Sequence, residues 1–131
     1  MAIEFVVSTL IPATPEEVYQ AWLSSKGHAA MTGSPATVSA VVGGEFKAWD
    51  GYIQGKNLEL VSNKRIVQSW RTSEFSADEP DSRIEITLEP AGKQTKLTLH
   101  HTGLPPHGGQ YESGWVESYF DPMKEYFSTR K

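Results

Sequence analysis

Arg83-Ile84-Glu85-Ile86-Thr87-Leu88-Glu89-Pro90-Ala91-Gly92-Lys93-Gln94-Thr95-Lys96-Leu97-Thr98-Leu99-His100-His101 reads as two strands joined by a turn. Ile84, Ile86 and Leu88 point one way, and Arg83, Glu85, Thr87 and Glu89 the other. After the turn Pro90-Ala91-Gly92-Lys93 the alternation resumes, with Leu97 and Leu99 on the dry side. One dry and one wet face mark an antiparallel sheet that covers a core on one side. His100 and His101 are strand neighbours, so they point to opposite faces and cannot share a metal ion.

Toward the N-terminus the strand pattern repeats. Residues 73–82 form a polar, proline-containing loop, preceded by a strand over Arg65–Thr72. Ser62-Asn63-Lys64 turns the chain, and Tyr52–Val61 is the strand before it, with Gly55 expected at a bulge or a close backbone approach. Asp50-Gly51 is a two-residue hairpin signal after a short strand, Glu45–Trp49. Gly43-Gly44 suits a turn or bulge, Pro35–Val42 is expected as strand, and residues 28–35 as irregular chain. Ile3–Leu10 is the first strand, ended by Pro12. Thr14-Pro15-Glu16-Glu17 then combines an N-cap, a proline at the first helical position and a glutamate three residues after the cap. Val18, Ala21 and Trp22 form the apolar stripe of the short helix that follows, and Ser24-Ser25-Lys26-Gly27 is expected to stop it.

Toward the C-terminus, Thr102–Gln110 is a Gly/Pro loop and the period turns helical from Tyr111. Trp115, Tyr119 and Met123 share a stripe, with Val116, Phe120 and Phe127 beside it. Pro122 predicts a kink, or a restart capped by Asp121. Strand, short helix, antiparallel run and long helix make an α+β fold with one or two short helices after the first strand.

A chain of 131 residues fits one domain, residues 1–131. The net charge of −4 comes without a basic face or stripe, which argues against a nucleic-acid partner. There is no cysteine, so thiol chemistry and disulfides are excluded. No run approaches the ~18 apolar residues of a membrane span, and Glu4 interrupts the N-terminal apolar stretch; the expected location is the cytoplasm. His28 and His107 sit in presumed loops away from carboxylate partners, so neither a metal nor a cofactor is expected. No G-x-S-x-G elbow is present for a nucleophilic serine.

Several pieces together resemble a known family: Thr14-Pro15-Glu16-Glu17-Val18-Tyr19, Pro35-Ala36-Thr37, Gly43-Gly44-Glu45-Phe46, Asp50-Gly51 followed by Gly55, Arg65-Ile66-Val67-Gln68-Ser69-Trp70-Arg71, Ile84–Leu88, Thr95-Lys96-Leu97, and Gly114-Trp115 with Tyr119-Phe120. The ordered set resembles the family named for the C-terminal domain of the activator of heat shock protein 90 ATPase, within the START-like (polyketide cyclase-like) superfamily. The resemblance implies a helix-grip fold, in which a curved antiparallel sheet of six or seven strands wraps a long C-terminal helix and leaves a cavity between them. It also implies a heat shock protein 90-class chaperone as partner, in a stress response. The eukaryotic activator carries a further N-terminal domain, for which 131 residues leave no room.

The expected function is non-enzymatic: a cavity that binds a hydrophobic or amphipathic small molecule, a co-chaperone role, or both. Trp49, Trp70, Phe75, Trp115, Tyr119, Met123 and Phe127 are aromatic or soft groups suited to line such a pocket. From the helix stripe and the strand pattern, the expected wall is Phe46, Trp70, Leu99, Trp115, Tyr119 and Met123. The alternative is a small cyclase or hydrolase using an inward carboxylate or histidine, for which Glu45, Asp50, Arg71, Glu85 and His101 are the candidates.

Overall fold

The computed structural model describes residues 3–129. Seven antiparallel strands form one sheet in the order β1-β7-β6-β5-β4-β3-β2. They are β1 (Ile3–Ile11), β2 (Thr37–Val38), β3 (Glu45–Ala48), β4 (Ile53–Val61), β5 (Arg65–Thr72), β6 (Ser82–Ala91) and β7 (Gln94–Leu104). Helices α1 (Pro15–Trp22) and α2 (Ser25–Thr32) follow β1. A 3₁₀ turn (Pro106–Gln110) leads into α3 (Tyr111–Trp115), a π-helical turn (Val116–Phe120) and α4 (Asp121–Thr129). This is the helix-grip arrangement. Ile84, Ile86, Leu88, Leu97 and Leu99 are buried on the inner face, as the alternation demands, and Trp115, Met123 and Phe127 meet them from the helix.

Helix α1 starts where its cap predicts. The Glu17 N–H donates to Thr14 Oγ1 at 3.2 Å, and the Thr14 N–H donates back to Glu17 Oε1 at 2.9 Å. The helix ends at Trp22, where Ser24-Ser25-Lys26-Gly27 predicts a stop, but the same four residues open a second helix. Ser24 caps α2 through the Gly27 N–H at 3.1 Å, and Gly33 ends it with a left-handed φ of 79°. Gly27 is needed for contact rather than for a turn: a Cβ there would stand 2.8 Å from Ala21 Cα on α1. The stretch expected to be irregular from residue 28 is therefore mostly helix.

Strand β2 is shorter than the run 35–42 suggested. The buried amide of Asn57 donates to the carbonyls of Ser39 (2.7 Å) and Val41 (3.0 Å), which holds that segment off the strand ladder. At the outer edge of β2, Ser25 Oγ accepts from the Val38 N–H at 2.8 Å. Gly55 marks a close approach: a Cβ would strike the Ser69 carbonyl and come within 2.8 Å of the Phe46 ring. The register irregularity lies further on, between Asn57 and Glu59.

Pro122 neither restarts the helix nor receives a cap from Asp121, whose backbone is helical (φ −64°, ψ −48°). Instead the preceding turn widens to π geometry. A proline lacks the N–H that an α-turn would use, and its ring crowds the carbonyl four residues back; a wider turn relieves both. The extra residue shifts the helical phase. Tyr119 and Phe120 are consequently both buried, while Val116, expected beside the apolar stripe, is 39% exposed.

Two substitutions test this arrangement. Thr14→Ala should lower unfolding free energy by about 1 kcal/mol by removing a cap, and unchanged denaturant midpoints would place the start of α1 elsewhere. Trp115→Ala should cost about 3–5 kcal/mol as a buried aromatic truncation, and a loss below about 1 kcal/mol would contradict its burial.

Candidate functional site

Sheet and helix part company at one end. There the tip of the β3–β4 hairpin, β5 and the first turns of the C-terminal helix enclose a cleft of about 400 Å³. Its walls are the rings of Trp49, Tyr52, Trp70, Tyr111, Trp115 and Tyr119. Ile53, Gln110, Gly114 and Ser118 complete it. The rings support one another at the separations aromatic pairs prefer: Trp70–Tyr111 4.9 Å, Trp70–Trp115 5.6 Å and Trp115–Tyr119 4.8 Å between centroids.

Trp70, Trp115 and Tyr119 of the expected wall line this cleft. Phe46, Leu99 and Met123 do not: each is buried in the core, Phe46 against Gly55, Leu99 between its partners Val7 and Ile86, and Met123 on α4. The C-terminal half of the helix packs down on β1 and α2. Tyr52 and Tyr111 were absent from the expected set. Tyr111 precedes Trp115 by one helical turn and was legible as the next position of the stripe. Tyr52 flanks a turn and carries no such signal.

The polar groups behind the walls are paired in fixed directions. The Trp115 indole N–H donates to His101 Nδ1 at 3.0 Å, so Nε2 carries the ring proton and donates to Ser82 Oγ at 2.8 Å. Ser82 in turn donates to the Trp70 carbonyl at 2.8 Å. Burial, with a smaller contribution from the charge of His100, pushes the His101 pKa down to about 3. The imidazole is thus neutral, and its lone pair is occupied by an indole rather than offered to the serine. The pair lacks the geometry of a base activating a nucleophile.

His28 behaves likewise. Its Nδ1–H must donate to the Trp22 carbonyl at 2.9 Å, so Nε2 accepts from the Tyr119 hydroxyl at 2.8 Å. Burial lowers the His28 pKa and raises that of Tyr119 well beyond the ordinary phenol value. Tyr111 and Thr72 share a hydroxyl–hydroxyl bond of 2.6 Å, and the Tyr52 hydroxyl donates to Glu74. A third chain runs from Trp22 Nε1 to Gln68 (3.2 Å) and from Gln68 to Asn57 (2.8 Å).

Of the candidates for acid–base chemistry, Glu45 and Asp50 are exposed. Glu85 lies on the outer face, paired with Arg65 at 3.1 Å. Arg71 pins the 73–82 loop through Asp81 (2.7 Å) and the carbonyls of Ser76 and Glu79. His101 alone points inward, and it stands behind Trp70 and Trp115. The residues lining the cleft include no carboxylate, histidine, lysine or arginine. Among the described residues no helix is long and apolar enough to cross a membrane, and no three metal-ligating side chains converge.

Fold and cleft together define a helix-grip domain with an aromatic site between sheet and helix. The family model described as Activator of Hsp90 ATPase homolog 1-like protein matches residues 12–128, and the chain belongs to that family. It is 31% identical over 115 residues to the human activator of 90 kDa heat shock protein ATPase homolog 1, covering 87% of this chain and 34% of that protein. The Dictyostelium discoideum activator homolog is 32% identical over 117 residues, covering 88% of this chain and 30% of that protein. This chain thus spans about a third of the length of these relatives. The fold matches that of an HSP90 activator from Plasmodium falciparum with a TM-score of 0.86 at 22% identity, covering 96% of each chain.

The buried histidines set the expected pH dependence. His101 binds a proton near pH 3 when folded and near 6.5 when unfolded, so the unfolded chain holds more protons between these values. Stability should be complete above about pH 6.5 and fall as the pH drops toward 3. Each such histidine contributes a slope of up to about 1.4 kcal/mol per pH unit, and His28 acts in the same direction. Urea unfolding between pH 8 and pH 4 measures this. A flat profile would mean that both rings remain solvated.

Proposed function

We propose that this domain works by binding: the cleft takes up a predominantly apolar or amphipathic small molecule. The observation that carries this reading is the lining itself, six aromatic rings with a few neutral polar groups and no charged side chain. Such a surface supplies burial and shape, with little means of moving a proton. The His101–Ser82 and His28–Tyr119 pairs are neutral and self-satisfied, which supports binding over hydrolysis or cyclisation.

Family membership supports a second reading, in which the domain assists a chaperone of the heat shock protein 90 class in a stress response. The relatives that match are named as activators of that ATPase, and this chain corresponds to about a third of their length. The two readings are compatible, since the chaperone would meet the outer surface and the small molecule the cleft.

Gly114 offers a clean test of the first reading. It lines the cleft on α3, and a Cβ there meets nothing within 4 Å. Gly114→Leu should fill the cleft without touching the core and should leave thermal stability equal or slightly raised, since glycine is a poor helix former. Native mass spectrometry of protein from its own cells should then show a retained small molecule on the wild type and none on the variant. Identical spectra for the two would sink the cleft as the working site. For the second reading, the purified domain should raise the ATPase rate of the heat shock protein 90-class chaperone of the same organism; an unchanged rate at saturating domain counts against it.

A further inference from the structure

Trp49 departs from its surroundings twice. Its indole Nε1 is buried and has no acceptor among the described residues. It also stands at a left-handed φ of 54°, followed by Asp50 at 57° and Gly51 at 89°. Asp50-Gly51 is the expected turn, closed by the Tyr52 N–H on the Trp49 carbonyl at 3.1 Å. The β3–β4 loop nevertheless spans residues 49–52, and Trp49 is forced into a region that suits glycine. The Asp50 N–H fastens this tip to the Pro35 carbonyl at 3.1 Å. A strained aromatic residue with an unmet donor, on the wall of a cleft, is where a binding role is to be sought.

The directions of the protons between Trp22, His28 and Tyr119 are determined. The Trp22 carbonyl can only accept, so His28 Nδ1 carries hydrogen and Nε2 accepts; the Tyr119 hydroxyl therefore spends its proton on His28. What Tyr119 has left is an oxygen lone pair. What Trp49 has left is an N–H. The two rings meet edge to face at 6.4 Å between centroids; the indole N–H lies near enough to the Tyr119 oxygen to oppose, weakly, the rise in pKa that burial causes, yet outside hydrogen-bond geometry.

We propose that the cleft is built for a molecule bearing a hydroxyl group, a phenol or an alcohol, whose oxygen lodges between Trp49 and Tyr119. The hydroxyl accepts from the Trp49 indole and donates to the Tyr119 oxygen, completing a chain that runs through His28 to the Trp22 carbonyl. A ketone or an ether could meet only Trp49, and an ammonium group only Tyr119. The indole N–H is shut off from solvent in the present arrangement, so the hairpin tip lifts as the hydroxyl enters. The rest of the molecule is apolar and flat enough to lie among Trp70, Tyr111 and Trp115. This rests on the cleft being a ligand site.

Three probes of similar shape test it: 2-naphthol, 2-methoxynaphthalene and 2-methylnaphthalene, followed by calorimetry and by the indole N–H resonances of the four tryptophans. All three should shift Trp70 and Trp115. Only 2-naphthol should bind about tenfold more tightly than 2-methylnaphthalene, the ratio expected for a hydrogen bond, and move the Trp49 N–H downfield. 2-Methoxynaphthalene, an acceptor alone, should fall short of 2-naphthol. In Trp49→Phe, which keeps an aromatic ring, the preference for 2-naphthol should shrink, because only the bond to Tyr119 is left. Equal affinities in the wild type, or a preference undiminished in Trp49→Phe, would overturn the hydroxyl inference and leave the cleft as a site. If no probe moves Trp70 or Trp115, the cleft reading fails with it.

Discussion

Burying aromatic rings that carry N–H or O–H groups obliges the fold to bury acceptors with them. Trp22, Trp115, Tyr111 and Tyr119 are all buried, and each has a polar edge that water cannot reach. An unmet donor in such a place costs about 1–3 kcal/mol, so the opposite wall must answer each one. Gln68 answers Trp22, His101 answers Trp115, Thr72 meets Tyr111 and His28 answers Tyr119. Gln68, Thr72 and His101 occupy strand positions that the alternation reserves for apolar side chains, His28 is supplied by α2, and Asn57 and Ser82 stand behind Gln68 and His101 as second partners. The result is a core whose register is fixed by directional bonds as well as by volume. A one-residue slip of β5 would turn Gln68, Trp70 and Thr72 together to the wrong face.

This constraint explains which parts of the fold were legible in the sequence. The β6–β7 hairpin follows from alternation because its inner face alternates with a more solvated one, and β5 follows from its β-forming residues. The start of α1 follows from Thr14, Pro15 and Glu17 because a cap is local. Helix α2 was hidden because the serine cap and the glycine that open it are also what a chain break looks like. Only the approach of Ala21 to Gly27 separates the two cases. The early end of β2 depends on Asn57, a residue distant in sequence whose amide competes for backbone carbonyls. Pro122 announced a disturbance, yet whether a helix breaks, kinks or widens depends on what each face must bury. Here the burial of both Tyr119 and Phe120 selects the wider turn.

The site was half legible for the same reason. Periodicity places Trp70, Trp115 and Tyr119 on inward faces, and it places Leu99 and Met123 there too, without saying where sheet and helix separate. That depends on the curvature introduced at Gly55, where Phe46 lies over the missing side chain, and on how far α4 settles onto β1 and α2. The cleft consequently belongs to the beginning of the C-terminal helix alone.

Neutrality marks both buried histidines of this interior. An acid–base site holds a group poised to change its charge near the working pH. Both buried histidines here are pushed away from that condition, and their protons are committed to a carbonyl in one case and a hydroxyl in the other. What such an interior offers a visitor is shape together with the hydrogen-bonding capacity that remains unspent. Around the cleft that capacity is concentrated at Trp49 and at the free lone pair of Tyr119. A core that answers the polar edges of Trp22, Trp115, Tyr111 and Tyr119 internally and leaves the buried N–H of Trp49 unmet, at a residue whose backbone is also strained, has kept the cost where an incoming molecule can remove it.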